Sequence, residues 1–545
     1  AYAVLSNEGP DVEGELQVVA AAAAGAPTVY ARSVVLPAHS RKAYFLYLPS
    51  AEYGSRSRLA VQLVAGDTVL SSEQAAVTWL DAGDRLYGVA SSNPSALNFL
   101  SDVALPGGKA AVAHLNLETL PPDPLGWQGL DVLVLNDVDT AALSGEQRRA
   151  LETWIANGGH LVVGGGAGAA RTVANVADLL PVAAGSTRLV DDLGALGERM
   201  GASIAAGPYA VAEADLRDGE VLVEQGGLIL LARRTLGMGR VDYVAFDTGL
   251  NPFVRWNDNV RLWRWFVGTE AAGARQFIVR NGHRARQAIN AVPGLELPSM
   301  LHILAFMLVY TLLVGPVNYL VLRKLDRREL AWLTVPALAV GFTAMAYVTG
   351  FQIRGGTAIV HRLAVVYVPQ GSSVGSVSEV VGLFSPRRTS YDVWVASAGV
   401  REISDGAPGG SARQPLHVVT EAGGATVAGL RVDVGGIQPF VAEGYVDVPA
   451  VDADLRMVGS GAGDLRVQGT LRNGGVVLRE AVVVVGDEQQ RLGDLRAGEG
   501  VSIDLAHRGG GYPDTPEQIL GPGDYRKDRE SYRRYQFLEA LSLGD

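Results

Sequence analysis

The chain has 545 residues, of which 48% are hydrophobic and 19% charged, with a formal net charge of −11 and no cysteine. This length predicts three to four domains, and so low a charge content is not that of a disordered chain. The negative charge argues against a nucleic-acid-binding protein, and the lack of cysteine excludes disulfides, thiolate metal sites and cysteine nucleophiles.

The first 82 residues predict an exported, immunoglobulin-like β-sandwich. Short apolar runs rich in Val and Tyr alternate with Asn-Glu-Gly, Pro and Gly-Asp turn signals at a spacing of about ten residues. We expect the first strand of this sandwich to be truncated or missing. The opening AYAVLSNEGP carries no basic or apolar leader, so we also expect a removed signal peptide or an upstream anchor helix.

Residues 83–268 predict an α/β domain with a parallel, doubly wound sheet of flavodoxin-like type. Near-continuous apolar strands alternate with amphipathic helices, as in LDVLVLND, SGEQRRALETWIANGG and HLVVGGG. Ser144 is placed to cap the helix that Gln147 follows, and Gly158-Gly159 is placed to end it.

Two uncharged apolar stretches, 301–322 and 330–350, predict a transmembrane helical hairpin, because each exceeds the roughly 18 residues that mark a membrane span. Residues 269–300 are expected to be a linker onto the membrane. The alternative is a pair of buried core helices, but the amphipathic spacing of such helices is absent.

The seven-residue turn 323–329 predicts the orientation of the hairpin. Short basic loops stay on the cytoplasmic side, so both large regions are expected outside the plasma membrane of a bacterium; the reverse topology is the alternative. The basic residues of the turn are Arg323, Lys324, Arg327 and Arg328.

Beyond the hairpin, residues 351–510 predict one or two further exported sandwiches, and 511–545 a helical segment. The segment that begins at Asn473-Gly474-Gly475 is similar in pattern to the one that begins at Asn7-Glu8-Gly9. The sequence alone does not establish a duplication.

The run LDVLVLNDVDTAALSGEQRRALETWIANGGHLVVGGG resembles the class I glutamine amidotransferase-like fold in a degenerate, membrane-anchored bacterial form. The hairpin LVGPVNYLVLRKLDRRELAWLTVPAL resembles uncharacterised bacterial envelope proteins, some of them similar to accessory components of ABC-type transport systems. The family's nucleophile elbow falls at Gly164–Ala167, where no Cys is present, and its His falls near Phe246 or Asp247. The resemblance therefore implies a pseudoenzyme or binding module, with no catalytic residue and no cofactor.

Other candidate sites have two interpretations each. The glycine run could cradle a phosphate or form a tight strand-to-helix turn, and the three acids could hold a hard cation or cap helices. We predict no metal site. The residues concerned are Gly164, Gly165, Gly166, Asp137, Asp139 and Asp247.

In the first apolar stretch, Gly315, Pro316 and Asn318 interrupt the helix and are expected to contact a partner within the membrane. Near the cytoplasmic end, Asn318 could equally meet lipid headgroups. The aromatic run that contains Trp256, Trp263 and Trp265 predicts a helix docked on the sheet, with sugar stacking as the alternative.

The sequence therefore predicts a non-enzymatic, membrane-anchored scaffold or accessory subunit. Its expected partners are the lipid bilayer and other membrane proteins; nucleic acid is not expected, and a small-molecule ligand is undefined. One alternative is an envelope-acting hydrolase that uses carboxylates of the α/β domain. The other is a carbohydrate-binding or adhesive surface protein.

Overall fold

The computed structural model of the chain is β-rich, with several sheets and a helical region that contains two apolar helices. Parts of the predicted linker and of the predicted C-terminal helical segment lie outside the described residues. The structure describes residues 1–20, 27–49, 58–81, 83–103, 107–268, 277–279, 281–290, 300–354, 357–403, 415–449, 451–459, 465–485, 488–507, 519–520 and 529–543.

The described residues of the first region contain six strands. β1 pairs with β4, while β3, β2, β5 and β6 lie side by side in a second sheet. The strands are β1 (Tyr2–Asn7), β2 (Val12–Ala20), β3 (Thr28–Leu36), β4 (Ser40–Phe45), β5 (Arg58–Ala65) and β6 (Thr68–Ala76).

The described residues of the second region form a seven-stranded sheet with helices packed against it, and the fifth and sixth of the nine strands below form a separate antiparallel pair. The strands are β7 (Arg85–Ser91), β8 (Ala110–His114), β9 (Val132–Asn136), β10 (His160–Gly164), β11 (Val182–Val190), β12 (Tyr209–Leu216), β13 (Glu220–Gln225), β14 (Leu228–Leu236) and β15 (Gly239–Val244). The helices are α1 (Gly145–Ala156), α2 (Ala169–Val173), α3 (Gly194–Met200) and α4 (Asn259–Val267).

Five strands of this sheet are parallel, in the order β8-β7-β9-β10-β15. The antiparallel strands β14 and β13 extend it beyond β15. Strands β9 and β10 are buried along their whole length, because helices cover both faces. α1 begins at the predicted capping box, in which Ser144 and Gln147 satisfy each other's backbone N–H groups.

The segment before the two apolar helices, predicted as a linker, contains a short strand and an amphipathic helix. The helix buries Ala285, Ala288 and Ile289 on one face. Two long apolar helices follow, close to the predicted spans, and pack through Phe342 against Phe306 and Tyr310. These elements are β16 (Phe277–Val279), α5 (Gly282–Asn290), α6 (Met300–Lys324) and α7 (Ala331–Arg354).

The C-terminal region is again β-rich and ends in a helix. Its elements are β17 (Ile359–Tyr367), β18 (Val374–Phe384), β19 (Thr389–Val395), β20 (Gly399–Glu402), β21 (His417–Glu421), β22 (Gly424–Val432), β23 (Ile437–Asp447), β24 (Val451–Val458), β25 (Leu465–Asn473), β26 (Leu478–Val485), β27 (Glu488–Leu495), β28 (Gly500–His507), α8 (Arg529–Ala540) and β29 (Leu541–Leu543).

Chain segments from either side of the hairpin belong to one sheet. β3 pairs in parallel with β21, with Tyr30 opposite Val418, and the resulting order is β19-β22-β21-β3-β2-β5-β6. The sequence analysis placed these strands in separate sandwiches. They associate because Val18, Tyr30 and Val427 share one hydrophobic core with side chains of the neighbouring sheet.

That neighbouring sheet, in the order β17-β18-β23-β20, is covered on both faces. Val381 and Phe440 point into the core shared with the first sheet, while Val380 and Val441 contact the helical layer of α5 and α8. β29 also pairs with β16. The last described strand therefore packs on the segment that precedes the two apolar helices.

The first β-rich region and the last one each contain a backbone corner of the same construction. The corner is built on Asn7 in the first region and on Asn473 in the last. Each side-chain amide donates to three backbone carbonyls, and each Oδ1 accepts the N–H of the glycine two residues on. The carbonyls belong to Pro10, Leu36 and Pro37 around Asn7, and to Val476, Leu495 and Arg496 around Asn473.

Both corners end in a residue of left-handed conformation, His39 at φ 56° and Gly498 at φ 79°. The strand register agrees as well, since Leu36 faces Val12 and Leu495 faces Leu478. The similar sequence patterns of the segments that begin at Asn7 and Asn473 thus correspond to backbone corners of the same construction.

Candidate functional site

The carboxyl ends of the parallel strands bring several of the predicted residues together. β7, β9 and β10 end next to one another, and Asp247 lies three residues beyond the end of β15. Asp137 follows β9, and Gly165 follows β10. In open α/β sheets this edge is where ligands bind, so we describe it as the candidate site.

The centre of this edge is closed by side chains that bond to one another. Asn136 donates from Nδ2 to Oδ1 of Asp247 at 2.7 Å. The hydroxyl of Thr248 donates to Oδ1 of Asn136 at 3.1 Å, and the N–H of Gly249 donates to the same Asp247 oxygen at 2.8 Å. The carboxylate of Asp247 thus has partners within the protein.

The glycine run makes room for this arrangement. A Cβ at Gly164 would lie 2.3 Å from Oδ1 of Asn136, and one at Gly166 would lie 3.0 Å from Cβ of Asp247. Gly166 has φ 76°, and its N–H donates to the carbonyl of Ala245 at 2.9 Å. These contacts are those of a tight strand-to-helix turn.

Asp137 adopts a left-handed backbone conformation with φ 51°, which is uncommon for a residue other than glycine. Its carboxylate accepts from Ser92 at 2.5 Å and from Arg171 at 2.5 Å. Partial burial alone would raise the pKa of Asp137, but these two donors outweigh it and the pKa is lowered. Asp137 is therefore a bonded carboxylate at neutral pH and not a proton donor.

Asp139 does not join the other two acids. It caps a short 3₁₀ turn, Thr140–Ala142, by accepting the N–H of Ala141 at 3.0 Å. Among the described residues, no group of three or more His, Asp or Glu side chains is placed to hold a metal ion.

The position where the resembled family carries its His is part of the hydrophobic core. Phe246 is 1% exposed and stacks on Phe253, with ring centroids 4.3 Å apart. Trp263 is fully buried in the same core, and Trp256 and Trp265 pack against it. The predicted docking of this aromatic helix is confirmed.

A buried polar network near the start of β10 was not predicted. His160 contacts Asp242 at 2.8 Å through Nε2, and Arg233 binds the same carboxylate at 2.8 and 2.9 Å. Burial raises the pKa of Asp242, but His160 and Arg233 outweigh it and keep this carboxyl ionised. The signal in the sequence was a His and an Asp inside otherwise apolar strands.

The three residues predicted to contact a membrane partner lie at a π-helical turn in α6, Leu313–Val317, which contains Pro316. π turns and prolines are recognised causes of helix distortion. A Cβ at Gly315 would meet no atom within 4 Å, and Asn318 begins the α-helical segment that follows. The basic residues of the turn are exposed; they are Arg323, Lys324, Arg327 and Arg328.

Two family models match parts of the chain, and both are described as domains of unknown function. DUF8726 matches residues 2–78 and DUF7408 matches residues 110–260. No curated protein matches the chain.

The solved structures that match the chain have low identity to it. The cytoplasmic protein STM1381 from Salmonella typhimurium LT2 is 15% identical, with 33% of this chain and 96% of that chain covered and a TM-score of 0.28. A β-galactosidase from Rahnella sp. R3 is 12% identical, with 66% of this chain and 41% of that chain covered and a TM-score of 0.22. At these TM-scores the likeness carries no argument about function.

Proposed function

We propose that this protein is a membrane-anchored extracytoplasmic scaffold or accessory subunit of a bacterial envelope or transporter-type complex. The observation that carries the proposal is the sheet shared by the segments before and after the apolar hairpin, through β3 and β21. Two segments that pair strand to strand must lie on the same side of a membrane. An even number of crossings meets that requirement, and α6 and α7 provide two.

The chemistry of α6 and α7 supports insertion into lipid. Both are long and apolar, and no residue in the most apolar window of either is buried within the protein. Exposure of so much apolar surface to water is unfavourable, while a bilayer stabilises it. The four basic residues of the connecting turn favour a cytoplasmic turn and an extracytoplasmic body.

The α/β domain is proposed to be a degenerate amidotransferase-like binding module. Numbered along the chain, its parallel strands follow the order 2-1-3-4-5, which is that of flavodoxin-like sheets. The proposal is supported by the side chains at this edge, which bond to one another, and by the glycines that occupy the elbow positions of the resembled family.

Association in the membrane is proposed to use the π turn of α6, because small residues allow helices to approach closely. Gly315→Leu or Asn318→Leu should reduce recovery of partner membrane proteins in pull-downs from mild detergent. Gly341→Leu, in α7, is the matched control, since a Cβ there also meets no atom within 4 Å. Protease resistance of the extracytoplasmic body monitors folding, and unchanged partner recovery with both variants would reduce the hairpin to an anchor.

The hydrolase alternative has its own test. Purified protein should release no product from glutamine or from p-nitrophenyl esters. Turnover that Asp137→Asn or Asp247→Asn abolishes would contradict the non-enzymatic assignment.

A further inference from the structure

The first and the last β-rich regions contain the same four-strand unit, here named the first unit (β1–β4) and the last unit (β25–β28). In the first unit β1 pairs with β4 and β2 with β3, while in the last unit β25 pairs with β28 and β26 with β27. Leu16 faces Arg32 in the first unit. At the same distances from the corner, Val482 faces Arg491 in the last unit. Strand β26 therefore corresponds to β2.

The outer edge of β2, on the side away from β3, is paired with a strand of the same chain. β5 lies antiparallel to it, with Leu63 opposite Leu16 and Val61 opposite Val18. Leu16 and Val18 are 2% and 0% exposed. The first unit thus completes its sheet with an aliphatic, antiparallel strand.

The same edge of β26 is open in the part of the chain that the structure describes, where β26 pairs with β27 alone. The described residues beyond β28 include α8 and β29, and β29 pairs with β16, so no described strand takes the place of β5. Val482 and Val484, which correspond to Leu16 and Val18, are only half-buried. A sheet of two strands is marginally stable and is stabilised by further strands.

The side chains of β26 favour pairing at this edge. Residues 481–485 read AVVVV and are all half-buried, and both register shifts of the hairpin lie before Val482. Natural proteins protect open edges with charged residues or proline, and β27 does carry Glu488 and Arg491. β26 carries neither in this span. The exposed, uncharged valines therefore mark a surface that another strand covers.

We infer that β26 pairs antiparallel with β26 of a second copy of this chain, around a two-fold axis at Val483. Val483 then faces its own counterpart, and Val482 faces Val484 of the second copy. The second β26 takes the place that β5 has in the first unit, with valines where β5 presents Leu63 and Val61. The paired span is uncharged, so no like charges face each other, and a two-fold interface requires such self-complementarity.

The resulting sheet has the order β27-β26-β26-β27. Four strands replace a marginal pair, and the valines of both copies lose water contact. The inference is independent of the anchoring role, because β26 lies outside the apolar hairpin and pairs on whichever side of the membrane it is found.

The first test uses disulfide cross-linking of the full chain, which lacks cysteine, in membranes treated with copper phenanthroline. Val483→Cys should give a cross-linked dimer, because opposed residues of antiparallel strands have Cα atoms about 4.5–5.5 Å apart, within disulfide range. Val485→Cys is the matched control in the same strand. It would face Ala481 of the second copy, so it should cross-link at least about tenfold less, yet readily with a co-expressed Ala481→Cys chain.

The second test measures the mass of the detergent-solubilised protein by light scattering. The parent should contain two chains. Val483→Lys places two like charges opposite each other and should raise the dissociation constant at least about tenfold. Gln489→Lys, at an exposed position of β27, should remain a dimer, and circular dichroism checks that both variants are folded.

The cross-linking pair decides the matter if Val483→Lys folds poorly. Equal cross-linking of Val483→Cys and Val485→Cys would overturn the inference, and so would a parent that contains one chain. A two-chain mass that survives Val483→Lys would assign self-association to another surface and overturn it as well.

Discussion

Asp131 is a carboxyl that opposes folding at neutral pH. It lies at the start of β9, accepts the N–H of Leu86 at 2.6 Å and has Arg85 nearby. Burial outweighs both and raises its pKa from 3.8 to about 6. Because the folded-state pKa is the higher one, the group contributes stability below about pH 4, and this contribution is lost as the pH rises through 6.

The pKa of Asp131 in the folded state is about two higher than 3.8, so the free energy of unfolding of the parent falls by about 3 kcal/mol between the two ends of that pH range. Asp131→Asn keeps an acceptor for Leu86 but cannot ionise. The free energy of unfolding of the variant, relative to the parent, should therefore rise by about 2–3 kcal/mol between pH 4 and pH 7.

The assay is urea unfolding in detergent at pH 4.0, 5.0, 6.0 and 7.5, followed by tryptophan fluorescence, which Trp127 and Trp154 report from this domain. Asp102→Asn, at an exposed position, is the matched control and should give a flat difference. If the free energy of unfolding of Asp131→Asn relative to the parent does not change with pH, or falls as the pH rises, the reasoning is refuted.

Further predictions concern the corners and the strand edge. Asn473→Ala should lower the free energy of unfolding by about 2–3 kcal/mol, because a side-chain amide that is 1% exposed loses its hydrogen bonds to three carbonyl acceptors. Asn7→Ala, at a more exposed corner, should lower the free energy of unfolding by less. A larger loss for Asn7→Ala than for Asn473→Ala in urea titrations would contradict the common construction of the two corners. Gly168→Ala should lower the melting temperature, because its Cβ would lie 1.9 Å from Oδ1 of Asp137. Gly129→Ala is the control, because a Cβ there would meet no atom within 4 Å. Equal melting temperatures for the two variants would show that the contact with Asp137 is readily rearranged.

Much of the local structure could be predicted because its signals are local. The capping box at Ser144, the apolar strands β9 and β10 and the two apolar helices each follow from a short pattern of side chains. For the segment before the two apolar helices the sequence predicts only a linker, because a nine-residue helix with three buried aliphatic or alanine side chains gives a weak signal.

The pairing of β3 with β21 could not be predicted in the same way. It joins residues nearly 400 positions apart, and no local pattern records which strand will lie beside an edge. At the strand edge, the sequence identified Asp137 and Asp247 but not Asn136, Ser92 and Arg171, which determine their environment.

The central claim is that the hairpin crosses the membrane and leaves both large regions outside. The chain lacks cysteine, so single cysteines report topology without a background. Asp326→Cys, in the turn, and Asp67→Cys, between β5 and β6, are labelled with a membrane-impermeant maleimide in spheroplasts. We predict labelling of Asp67→Cys in intact spheroplasts and of Asp326→Cys only after permeabilisation; the opposite pattern, or labelling of both in intact spheroplasts, would contradict the account.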